Sequence, residues 1–287
     1  VSYALEMLIS AVLISSFYAV LASGFTMILG LSGVFNLAHG AYALIGAYIV
    51  LIMTKYLGLP TELAYPLAII GGGLFSVLSY KGIIKRTIDD HIAVFMVTLI
   101  GAVCVEQVVS LFFTGSPRAL KPIVDGNLTI MNVWVSGNMI FIFFTAWISV
   151  GALAWFMKYT HLGRGIIALS QDRKGAILCG VDSEKAYLVA FFIAGGLSAF
   201  AGALYGSNTM VYPHMWAYPL IISFVIVLLG GIGSILGTAV AACIVGFSET
   251  AVVYLVDPIY KEAVGLIIVI AVMILRPVGL FGHEEIE

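Results

Sequence analysis

Apolar runs parted by short polar breaks make up most of the chain, and they fall near 3–29, 39–54, 63–80, 92–113, 138–157, 187–206, 217–235, 237–256 and 262–275. A spanning helix needs ~20 consecutive mostly apolar residues. The second and last runs are short, so the pattern predicts eight or nine crossings. None shows the ~10-residue alternation of a membrane barrel, and only helices or closed barrels satisfy every backbone polar group in lipid. The fold class that follows is all-α, a polytopic membrane helical bundle forming a single transmembrane domain over 1–287. The first run is too long for a signal-peptide core and lacks a basic start, so it reads as a retained span.

Composition agrees: 62% of residues are apolar and 10% charged, with a mean hydropathy of +1.12, against ~25% charged residues in soluble domains. A net charge of −2 excludes the basic footprint of a nucleic-acid binder. Cys104, Cys179 and Cys243 stand far apart, so neither a metal site nor a redox pair is expected. Positive charge sets orientation. Lys81, Lys85, Arg86, Arg276 and five cations of the 158–185 segment stand on one side, with Lys55, Arg118, Lys121 and Lys261 on the other. This places loop 158–186 and the C-terminus in the cytoplasm.

That loop, KYTHLGRGIIALSQDRKGAILCGVDSEK from Lys158 to Lys185, is the most conspicuous polar insert. Asp172 is a suitable N-cap for a short helix over Arg173 to Cys179, with Gly180 ending it, and Asp182 or Ser183 starts the next span. Upstream, Gly163-Arg164-Gly165 predicts a break after the fifth span. The stub offers Ala176, Ile177 and Leu178 as apolar contacts for a partner's groove; an interfacial helix lying on lipid headgroups is the alternative. The other long loop, 114–137, holds Pro117, Pro122, Gly126 and Asn127 and reads as a solvated connector or a docking rim.

Polar residues also interrupt the apolar runs. Gly30 to Gly40 carries Ser32, Asn36 and His39, which suits either a solvated turn or an unwound element on a translocation path. Gly230, Gly231, Gly233 and Gly237 predict a broken helix or a tight turn between spans. Glu106 and Glu249 fall inside spans, with no Lys or Arg expected at their depth, so each should face the bundle interior or a cavity. Asn36, His39, Glu106, Gly231, Gly233 and Glu249 are therefore the candidate pathway residues. No phosphate-binding loop, zinc-protease motif or nucleophile elbow is present, so catalysis is not expected of this chain.

The blocks GFTMILGLSGVFNLAHGAYALIGAY (Gly24–Tyr48), THLGRGIIALSQDRKGAILCGVD (Thr160–Asp182), FIAGGLSAFAGALYG (Phe192–Gly206), VLLGGIGSILGT (Val227–Thr238) and RPVGLFG (Arg276–Gly282) resemble, in order, the permease subunits of branched-chain amino acid ABC importers. Asn36 to Gly40 points to the LivH-like half of the LivH/LivM pair. The resemblance implies a bacterial or archaeal inner-membrane permease subunit, not an enzyme, that binds no cofactor itself. It implies a second, LivM-like permease, two ATP-binding cassette subunits that use ATP, and a solute-binding protein. Arg164, Asp172, Arg173, Ala176, Ile177, Leu178 and Gly180 would then couple to the ATPase. Branched-chain amino acids lead as solute, with urea, amides or aromatic acids behind them. A self-sufficient ion-coupled transporter or channel is the rival. Two positions depart from the family pattern: Ile167 where Arg is frequent, and Trp216 where Gly often follows Pro-x-Met.

Overall fold

The apolar runs fold as helices, and the polar breaks supply their ends. A computed structural model describes residues 2–88, 90–130, 133–276 and 278–281. The first half holds α1 (Ser2–Ser32) and α2 (His39–Leu51), which a π turn prolongs over Ile52–Tyr56. Next comes α3 (Thr61–Ser79), prolonged by a π turn at Tyr80–Ile84 and by α4 (Lys85–Thr87), and then α5 (His91–Phe113). An antiparallel hairpin, β1 (Asn127–Ile130) and β2 (Val133–Ser136) with Asn127 opposite Ser136, leads into α6 (Gly137–Tyr159). The polar insert forms α7 (His161–Gln171) and α8 (Arg173–Leu178). The second half holds α9 (Ser183–Asn208), a 3-10 turn at Pro213–Trp216, α10 (Ala217–Gly230), α11 (Ile235–Leu255) and α12 (Lys261–Leu275).

Seven helices among the described residues are long and apolar enough to cross a membrane, with a shorter apolar stretch at Ala263–Leu275. Counted with the 13-residue α2, they make a helical membrane bundle consistent with eight or nine spans. The seventh span stops at Gly230 rather than near 235, because Gly231 and Gly233 take φ values of +98° and +80°. L-side chains avoid that region, so these glycines make a tight turn before Ser234 caps α11 by accepting from the Gly237 N–H.

At the centre α1 and α9 run antiparallel. Phe17 stacks on Tyr205, and Gly24 lies against Ala194 and Leu197. Along α1 runs α11, with Gly246 on Ser15 and, in the turn before α11, Gly233 on Gly30; along α9 runs α3, with Gly72 and Ser76 on Ala199 and Gly195. Small residues at these seams let the backbones close up where lipid offers no hydrophobic drive between helices. The long–short–long order α1–α2–α3 thus recurs as α9–α10–α11 with inverted direction, an arrangement met in transporters.

Both short helices begin inside the bundle. After α1 the chain turns back, and His39 reaches Leu21, whose carbonyl lies 3.0 Å from His39 Nε2. Leu21 precedes Ser32 by eleven residues, about 16 Å along the helix at 1.5 Å each. Val34, Asn36, Leu37 and Ala38 are buried, which corrects the solvated-turn expectation for this segment. The start of α10 meets the start of α2 where Gly40 packs on the Trp216 carbonyl.

Candidate functional site

Three carboxylate and phenol groups stand in one layer. Tyr18 lies fourteen residues from the end of α1, Glu249 fourteen from the start of α11, and Glu106 fifteen from the start of α5. All three ends belong to the same face of the bundle as α7 and α8, hereafter the loop end. The layer is therefore about 21–23 Å above it, inside a hydrocarbon core ~30 Å thick.

On one flank, Glu106 is buried and accepts hydrogen bonds from the Trp216 indole. His214 Nδ1 stands 2.6 Å from its other oxygen, and Gln107 Nε2 donates to it at 3.4 Å. Trp216 thereby has a structural role, since its indole N–H satisfies a buried carboxylate.

On the other flank, Glu249 is fully buried. Tyr18 donates to its Oε2, the Tyr218 hydroxyl lies 3.4 Å away, and Lys261 Nζ lies at 3.9 Å. Lys261 also sits 5.0 Å from the centre of the Tyr218 ring, a cation–π arrangement. A cleft of about 130 Å³ opens beside this group, lined by Phe17, Tyr18, Tyr205, Tyr218, Asn208 and Lys261 among others. The expectation that no Lys or Arg shares the depth of these carboxylates is corrected here. Lys261 is anchored at the start of α12, and its flexible stem snorkels the charge inward to Glu249.

Removing one member of a buried pair leaves the other charge uncompensated. Lys261→Met is accordingly expected to lower the thermal midpoint of the purified chain by several degrees, and adding Glu249→Gln to restore part of the loss. Thermal unfolding in detergent checks this; additive losses in the double variant would show that the two groups do not interact.

Between the flanks, the unwound segment is held by hydrogen bonds within itself and to α5 and α9. Asn36 Oδ1 accepts from Ala38 N at 3.0 Å and its amide donates to the Tyr42 hydroxyl at 3.2 Å. Leu37 N donates to Thr98 Oγ1 at 3.1 Å, and Ser198 donates to the His39 carbonyl at 2.7 Å. His39 Nδ1 has no hydrogen-bond partner among the described residues. Asn36, His39 and Glu106 are joined through the α2–Trp216 contact, whereas Glu249 belongs to a separate group. Gly231 and Gly233 lie apart from both, at the loop end, beside Gly279 and Gly30.

At the loop end Asp172 caps α8, accepting from the Gly175 N–H at 3.0 Å, and Gly180 ends it with φ +87°. Gly163 to Gly165 do not break the chain as expected. They lie within α7, whose start is set by Thr160 accepting from Gly163 N, and Gly163 fits where a Cβ would strike the Phe156 carbonyl. Arg164 is exposed on α7, and Arg173 lies 5.9 Å over the Tyr187 ring. Ala176, expected at a partner's surface, is instead 8% exposed and packs with Ile166 and Leu169 in the chain's own core. Of the six residues of α8, Ala176 is the one that is buried. Ile177 and Leu178 turn outward, at 46% and 88% exposure.

Sequence reasoning missed Tyr18, Tyr218, His214 and Lys261, because nothing in spacing links residues on α1, α10 and α12. Among the described residues no cluster of His, Cys, Asp or Glu could hold a metal ion.

A family model described as branched-chain amino acid transport system / permease component matches residues 7–275. The high-affinity branched-chain amino acid transport permease protein LivH of Escherichia coli K12 is 26% identical, over 99% of this chain and 97% of its own. BraD of Pseudomonas aeruginosa, of the same description, is 28% identical over 99% and 97%. The ribose import permease RbsC of Haemophilus influenzae is 28% identical over 91% of this chain and 81% of its own. No solved structure matches the chain.

Proposed function

The chain belongs to the family of branched-chain amino acid transport permease components, and from that premise we propose that it forms half of the translocation pathway of an ATP-driven importer. A second permease subunit supplies the other half. Two cassette subunits bind and hydrolyse ATP, and a solute-binding protein delivers the solute on the far side. The loop end, with α7 and α8, faces the cytoplasm of a bacterial or archaeal cell. Residues 282–287, expected on the same side, lie outside the described residues. The solute is small and polar, with branched-chain amino acids first because LivH and BraD carry that description.

The observation that carries the coupling reading is the outward side of α8. Leu178 is 88% exposed on a capped helix that is itself fixed to the bundle. It is held by Ala176 in the core and by Arg173 lying over the ring of Tyr187 in α9, which in turn stacks on Tyr80 at the end of α3. An exposed apolar anchor on a rigid stub fits a groove on a soluble partner, where few buried side chains carry most of the binding energy. ATP-driven motion of that partner would then reach α3 and α9 through these contacts. In support, the ionisable groups at bilayer depth, Glu106 and Glu249, each have a cationic or ionisable neighbour in His214 and Lys261, so neither stands as a lone ion-binding carboxylate.

The cap offers a test. Replacing an Asp N-cap by Ala costs ~1 kcal/mol of helix stability, whereas Asn serves nearly as well. In the assembled transporter, Asp172→Ala is expected to lower solute-stimulated ATPase several-fold, and Asp172→Asn to retain most of it. Equal activity in both variants would remove α8 from the coupling path.

A further inference from the structure

His214 projects outward from the bundle at a depth where lipid is a poor neighbour for it. Its side chain is 72% exposed, yet Nδ1 stands 2.6 Å from a Glu106 carboxylate whose own side chain is 9% exposed. Glu106 precedes Phe113, the end of α5, by seven residues, which puts it about 10 Å inside that end. Gln107, next in sequence, is also exposed on this face and donates to Glu106 at 3.4 Å. An imidazole and an amide thus stand on one outer face over a buried carboxylate, at a depth where polar and ionisable side chains are costly to insert. Such groups normally face a bundle interior or a water-filled cavity, and on this chain that face points away from its own interior.

We propose that His214 and Gln107 line a water-filled solute path running along the outer face of α5 and the Pro213–Trp216 turn. The path is bounded on this side by the Glu106–Trp216 pair. With Nδ1 engaged by the carboxylate, the second ring nitrogen is left for another hydrogen bond, so the wall offers hydrogen bonds to a small polar solute. Trp216 holds Glu106 from behind through its indole and fixes the orientation of the ring in front. The α5 face also shows Ile100, Val103 and Val108, which leaves the polar stripe narrow and bordered by apolar surface.

Charged methanethiosulfonates react with the thiolate, which forms in water and not in lipid. In native membranes, single-cysteine His214→Cys and Gln107→Cys, made in a background with Cys104, Cys179 and Cys243 replaced by Ser, are to be labelled with a charged impermeant reagent. Phe144→Cys is the depth-matched control: Phe144 is 59% exposed and seven residues from the start of α6. The expected result is labelling of positions 214 and 107 faster than 144 by an order of magnitude or more. Rates at 214 and 107 no faster than at 144 would overturn the proposal, whether lipid or a dry subunit contact covers the face. The inference rests on the permease reading, but labelling requires no ATP turnover. A failed coupling experiment at α8 therefore leaves it standing, and failed labelling leaves the coupling reading standing.

Discussion

Leu178→Asp is expected to reduce ATP-driven uptake by the assembled transporter at least ten-fold while leaving the chain folded. Full burial of a Leu side chain is worth about 1.5–3 kcal/mol, and each 1.4 kcal/mol is a factor of ten in affinity. A buried carboxylate adds its own desolvation penalty to that loss. The fold should not register the change, because Leu178 is 88% exposed and Ala176 supplies the inward contact. Leu178→Met, which keeps volume and apolarity, is expected to retain most uptake. Solute-stimulated ATPase and uptake measured on the same preparation check the pair. Full activity in Leu178→Asp would mean that the outward side of α8 touches nothing that matters.

Gly202→Ala should have the opposite signature, loss of folded protein before any question of coupling arises. A Cβ at Gly202 would meet the carbonyl oxygen, carbonyl carbon and Cα of Ala43. All three are backbone, so no side-chain rotation relieves the clash, and α2 and α9 must move apart. Overpacking of this kind costs about 1–3 kcal/mol, sometimes more. Because α2 carries His39 and adjoins Trp216, the displacement would reach the polar layer as well. Gly151→Ala in α6 is the control. Nothing lies within 4 Å of its added Cβ, and Ala is favoured over Gly in a helix by ~1 kcal/mol. Size-exclusion profile and thermal midpoint should therefore fall for Gly202→Ala and hold or rise for Gly151→Ala. Equal behaviour would show that the α2–α9 seam tolerates separation.

Much of the fold could be read from the chain because hydropathy along a membrane protein is a one-dimensional signal. Helix limits fell within a few residues of the apolar runs, and Asp172, Asp182 and Gly180 acted as the caps their residue types suggest. Three features were not legible. The inverted repeat leaves little trace in sequence, since its two halves share packing geometry rather than residues. Whether Asn36 and His39 sit in water or in the core depends on which helices close around them, which periodicity does not encode. The partners of Glu249 come from α1, α10 and α12, so only the folded bundle brings Tyr18, Tyr218 and Lys261 together. Glycines 163 and 165 misled for a related reason. In α7, Gly163 is there for close approach to α6, not to interrupt the helix.

Coupling to an ATPase on separate subunits is the central claim of the proposal, and uptake by reconstituted vesicles tests it most directly. Radiolabelled branched-chain amino acids would be offered to vesicles holding this chain alone, and to vesicles holding it with its co-purified permease, cassette and binding-protein partners. The account predicts uptake only in the second set, and only with ATP. Gradient-driven uptake by the chain alone, unmoved by ATP, would contradict it.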